Sequence, residues 1–175
     1  MAVIRCKGKL WQRLGRARGS PHSKEASVPG VMLGSWVAKV FRDRERYLVV
    51  ALNERTYLTI VFPLVPREHF CAEFASTLTH ALRDLGIPER IARAEAAAVE
   101  LMPLGPLDRG ELADVLDDVQ FFCEMELDYH ADLRVVQRHL NDVPHPNRNP
   151  CVPFAAVREL FEGVTDTPAW LRSTA

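Results

Sequence analysis

The sequence predicts an α+β domain: a small antiparallel or mixed sheet packed by about five helices. Three observations carry the prediction. Apolar, β-branched runs sit close together between residues 35 and 62, separated by short charged turns. Beyond residue 66 the longer segments carry apolar residues at helical spacing instead. With 175 residues and 47% hydrophobic content, the chain suits one domain with a proper core.

The elements follow in order. Val3 to Cys6 alternates and reads as a short strand, and Gly8 breaks it. Residues 9–14 form an amphipathic turn of helix closed by Gly15. Residues 16–30 hold Pro, Gly and Ser but few apolar side chains, and read as a mobile loop. Strands are expected over residues 35–41, 47–52 and 56–62, with turns at 42–45 and 53–55; the short turns favour an antiparallel meander. Pro66 can open a helix that carries Phe70, Phe74, Leu78 and Leu82 to Gly86, a natural residue just past a helix end. Pro88 opens a second, Ala-rich helix. Residues 99–104 read as a further edge strand. Residues 108–140 hold the longest helical pattern, with a break near Tyr129 and His130. Residues 141–153 are too rich in Pro and Asn for regular structure, and a last helix spans 154–161. The domain is expected over residues 1–163, with a tail at 164–175.

The long helix organises this reading. Leu112, Val115, Leu116, Val119, Phe122 and Cys123 recur at helical spacing, which predicts that Val119 and Phe122 face the sheet. Asp108 is the expected N-cap, with Glu111 at capping-box spacing. The opposite stripe holds Asp114, Asp117, Phe121, Glu124 and Asp128. Like charges three or four residues apart destabilise a helix by roughly 0.2–0.5 kcal/mol per pair. The stripe is therefore either a solvated face or a docking surface, with Phe121 as anchor, for a partner protein with a basic surface.

Net charge is −1, which excludes polyanion binding through bulk charge, but the start of the chain is locally basic. Arg13, Arg16 and Arg18 are the candidate phosphate contacts of an alternative, nucleic-acid-associated reading. Trp36, Tyr47 and Tyr57 would supply its stacking surface. Cys6, Cys71, Cys123 and Cys151 show no paired spacing, so free thiols in a cytoplasm are expected. No signal peptide or membrane-length apolar run is read.

No nucleophile elbow, phosphate loop, dinucleotide fingerprint or HExxH pattern occurs. No cofactor is therefore called for. Closely spaced carboxylates suit Mg²⁺ or Ca²⁺, yet the EF-hand loop pattern is absent, and no metal ligand is assigned. Cys123 and His130 lie about 10 Å apart along a helix, too far to act as nucleophile and base. Cys151, His139 and His145 lie where a loop can gather them, which keeps a hydrolase or metal-dependent enzyme as a second alternative.

The order of segments carries a resemblance. VIRCKGKLWQRLG opens the chain, followed by WVAKVFRDRERYLVVALNERTYLTIVFPLV, GPLDRGELADVLDDVQFFCEMEL, VVQRHLNDVP and PFAAVRELF. This order resembles an uncharacterised bacterial family, domain of unknown function 6933. The family's charged turn corresponds to Asp43-Arg44-Glu45-Arg46 and its LN-x-x-P element to Leu140-Asn141-Asp142-Val143-Pro144. The chain departs from the family at residues 108–113 and 147–152. The resemblance implies a fold and a bacterial, cytoplasmic setting, but no activity. The LN-x-x-P element with its Pro-led helix is also similar to the tail of integrase-type transposases. Their catalytic first-strand Asp has no counterpart in Val3 to Cys6, so this likeness reads as convergent.

Overall fold

The computed structural model describes residues 2–14, 32–146 and 148–163. The expected loop at 16–30 and tail at 164–175 lie outside the described residues. Among the described residues, five strands and six helices occur in the order β1 (Ile4–Cys6), α1 (Gly8–Leu14), β2 (Trp36–Asp43), β3 (Arg46–Asn53), β4 (Thr59–Pro63), α2 (Arg67–Asp84), α3 (Glu89–Glu100), β5 (Leu104–Pro106), α4 (Glu111–Tyr129), α5 (Leu133–Asp142) and α6 (Pro153–Leu160). The result is a single α+β domain.

The sheet is mixed, in the order β4-β3-β2-β1-β5. The meander β2-β3-β4 is antiparallel, while β1 pairs in parallel with both β2 and β5. Helices cover both faces, which is why β3 is a continuous apolar run instead of an alternating one. On one face Ile4, Trp36, Ala38, Val49, Ile60 and Phe62 pack against α1, α2, α3 and α6. Trp36 meets Phe74 edge-on, with ring centroids 5.1 Å apart. On the other face Val37, Phe41, Leu48, Val50 and Val61 pack against Leu116, Val119, Cys123 and Leu127 of α4 and Val136 and Leu140 of α5. Burying a Leu or Val side chain contributes about 1.5–3 kcal/mol, so these residues hold the two-helix layer to the sheet.

Three expectations need correction. The strand read at 99–104 starts later, because α3 runs on to Glu100 and β5 begins at Leu104. Asp108 does not cap α4. Gly110 occupies the cap position without a side-chain bond, and its carbonyl accepts the amides of Ala113 and Asp114. The buried face of α4 is also rotated from the expected one. Ala113, Leu116, Val119, Cys123 and Leu127 line it, while Phe122 is 42% exposed.

The edge strand β4 is closed by side chains in place of another strand. Asn141 Oδ1 accepts the Thr59 amide at 2.7 Å, and its Nδ2 donates to the Thr59 carbonyl at 2.7 Å. Gln137 Oε1 accepts the Val61 amide at 3.1 Å. One turn of α5 thus satisfies the outward backbone groups that make an edge strand prone to foreign pairing. Asn53, at the C-terminal end of β3, satisfies the backbone of two neighbouring loops. It accepts from the Arg55 and Thr56 amides and donates to the carbonyls of Leu33 and Ser35.

Candidate functional site

Helix α4 runs for five turns with Glu and Asp but no Lys or Arg. Its outward face carries large apolar side chains at spacings of four: Phe121, Met125 and Tyr129, with Phe122 beside them. Their exposures are 59% for Phe121, 46% for Met125 and 82% for Tyr129. The Phe121 and Phe122 rings meet at a centroid distance of 6.0 Å. Asp114, Asp118 and Asp128 are exposed along the same side, and Glu124 is half-buried. The face therefore offers an apolar strip bordered by carboxylates.

The five stripe residues do not act alike. Asp117 is engaged within the fold, since Lys7 Nζ and Lys39 Nζ both donate to its carboxylate. Partial burial pushes its pKa up, but the bonds and charges of the two lysines outweigh burial and hold the carboxyl below the ordinary range. Lys39 reaches it because β2 alternates, sending Val37, Lys39 and Phe41 toward the α4 side. Glu124 accepts from Gln120 Nε2 at 2.6 Å along the helix. Asp114, Phe121 and Asp128 stand on the outward face. Met125, Phe122 and Tyr129 join them there. Their apolar character was visible in the sequence, but the assigned helix phase placed Phe122 inward.

The basic candidates are placed differently. The Arg13 guanidinium lies 4.0 Å over the Tyr47 ring, a cation–π contact across α1 and β3. Arg16 and Arg18 lie outside the described residues. Trp36 and Tyr57 are buried, so the three aromatics form no open stacking surface. In addition, Arg148 covers Tyr57 at 3.9 Å.

Cys151, His139 and His145 are not gathered into one centre. The His145 ring packs edge-on against Tyr57, and its pKa is lowered by burial and by the charge of Arg148. The His145 amide donates to the Cys151 carbonyl at 2.7 Å, closing the Pro-rich loop, while the Cys151 side chain is exposed. His139 turns instead toward α4. Its Nδ1 lies 2.6 Å from Glu126 Oε2, and its ring meets that of His130 edge-on at 4.8 Å. His130 Nε2 stands 3.8 Å from the same Glu126 oxygen. This trio is not among the site residues expected from the sequence. Its signal was a Glu and a His four residues apart at a helix end, with a further His on the next helix.

The match to a known family comes from most of the chain more than from any one site. A family model described as Domain of unknown function (DUF6933) matches residues 3–153. The chain belongs to the DUF6933 family. No curated protein matches it. The matched span takes in the full sheet and helices α1 to α5, and so includes the α4 face, the α5 side chains that close β4 and the histidine pair. Among the described residues of this DUF6933 protein, no helix is long and apolar enough to cross a membrane.

Proposed function

We propose that this DUF6933 protein is a non-enzymatic interaction or regulatory module of a bacterial cytoplasm. Its outer α4 face would dock a partner protein that presents a basic, apolar-anchored segment. The exposed strip of Phe121, Met125 and Tyr129 set among carboxylates carries the proposal. An apolar centre with a charged rim is how protein interfaces are built. Charge selects the occupant. A second copy of α4 would bring carboxylates against carboxylates, whereas a helix with Lys or Arg around an apolar stripe complements the face. Within the stripe, Asp117 is committed to Lys7 and Lys39. Asp114, Asp118, Glu124 and Asp128 are therefore the acidic partner contacts, and Phe121 is the anchor. The nucleic-acid alternative is not favoured, because Arg13 is held over Tyr47.

The test uses a designed helical peptide with leucines on one face and lysines around them, beside a copy with glutamate for lysine. The two are titrated calorimetrically into the full chain. The lysine peptide should bind, weaken as salt rises, and lose roughly tenfold in affinity against Phe121→Ala, as for an interface anchor. Phe121→Ala should melt like the wild type. Equal binding of both peptides, or no loss on Phe121→Ala, would overturn the proposal.

A further inference from the structure

The structure assigns a second site, independent of the docking face: Glu126, His130 and His139 form a binding site for one zinc-like divalent ion. One ligand atom from each of the three side chains lies within 4.8 Å of the others. Two elements supply them. Glu126 lies in the last turn of α4, and His130, four residues on, is the extended residue that caps it. His139 comes from α5, which packs back against α4 across the short 130–132 connection.

The donor set selects the ion. Two imidazoles and one carboxylate are borderline ligands suited to Zn²⁺ and its first-row neighbours, whereas Mg²⁺ and Ca²⁺ take shells of oxygen. Bonds of about 2.0–2.2 Å to one ion would place tetrahedral ligand atoms roughly 3.3 Å apart. Glu126 Oε2 already lies 2.6 Å from His139 Nδ1 and 3.8 Å from His130 Nε2. These two separations bracket that value, and side-chain rotations that draw the set in from its 4.8 Å span complete the geometry. All three side chains are partly exposed, which leaves an entry path. Three protein ligands also leave one coordination position for water or a small anion. His130 borders an open cavity of about 680 Å³ between the β2–β3 turn and the end of α4, where Arg44 and Arg46 also stand.

The competing explanation is an ordinary ion pair between Glu126 and His139 that ties α4 to α5. His130 separates the two, because that pair does not need it. The experiment uses the full chain without a histidine tag, stripped with EDTA. Calorimetric titration with ZnCl₂ gives stoichiometry and affinity, and visible spectra with CoCl₂ report the ligand field. The variants are His130→Ala, Glu126→Gln and, as a control on a histidine outside the trio, His80→Ala. Far-UV spectra in EDTA confirm that each is folded.

The wild type and His80→Ala should bind one zinc per chain and show a tetrahedral cobalt spectrum. Zinc at a hundredfold excess over its Kd should raise Tm by roughly 5–10 °C. His130→Ala and Glu126→Gln should lose at least the roughly 10–100-fold in affinity that even outer-shell partners contribute. Magnesium should not compete. Zinc binding that survives both variants, or wild type that takes up no zinc, would overturn the assignment. Both outcomes leave the peptide test of the docking face untouched, since that face uses other residues.

Discussion

Replacing Asn141 with Leu tests how the fold protects its edge. The side chain sits between α5 and β4 and is fully buried, as is Thr59. Its amide makes three bonds of 2.7 Å, two to Thr59 and one to the Gln137 carbonyl. Leucine is of similar size, so the site keeps its volume. The Thr59 amide and carbonyl, however, lose their outward partners together. A buried backbone group left without a partner costs about 1–3 kcal/mol. Two such groups give roughly 2–6 kcal/mol, and water reaching the edge would bring the loss to the lower half of that range. Guanidinium titration should show the midpoint falling with the slope unchanged. At roughly 2–4 °C per kcal/mol for a chain of this size, Tm should drop by about 5–15 °C. Asn141→Asp should also destabilise, because its carboxylate faces the Thr59 carbonyl. A Leu variant within about 0.5 kcal/mol of wild type would refute the reasoning, since β4 would then be satisfied without α5.

Three further outcomes follow from the same geometry. Phe74→Ala, in the core against Trp36 and Phe62, should cost about 3–5 kcal/mol, whereas half-exposed Phe122→Ala should cost roughly 1 kcal/mol in the same guanidinium titration. Asp117 is ionised more readily in the folded chain than in the unfolded one, so its contribution is present above the unfolded carboxyl range and is lost as pH falls through its lowered value. The stability gap between wild type and Asp117→Asn should therefore stay within the roughly 0–1 kcal/mol of a surface pair at neutral pH and close in acid, while Asp117→Lys, beside Lys7 and Lys39, should destabilise at neutral pH. Burial pushes the Cys6 and Cys123 thiols up to about 12, so alkylation without reductant should label exposed Cys151 first and those two only on unfolding; an intact mass showing a disulfide would contradict this.

What the sequence made legible was what short-range patterns encode. The β2-β3-β4 meander could be read because charged turns separate apolar runs, and the Asp43–Arg46 turn closes as a hairpin with Arg44 at a positive φ of 52°. The end of α4 at Tyr129 was also readable. The rotational phase of α4 was not. Its apolar residues fill two overlapping stripes, one through Val115, Val119 and Phe122, the other through Leu116, Val119, Cys123 and Leu127. The sheet chose the second, and the excess apolar residues became the exposed strip. Long-range pairings left no local trace. The grip of Glu95 on the amides of Met32 and Leu33, Asn141 on Thr59, and Glu126 with two histidines all depend on how distant segments pack. Glu95 reads as one more polar residue in an Ala-rich helix, yet burial raises its pKa against the pull of those two amides.

The most direct test of the docking face cancels its charge. Asp118→Lys combined with Asp128→Lys changes two exposed carboxylates without touching the buried side of α4. Titrated with the lysine and glutamate peptides, the neutralised chain should lose its preference for the first, with its melting temperature little changed. Retained preference for the lysine peptide would contradict the account.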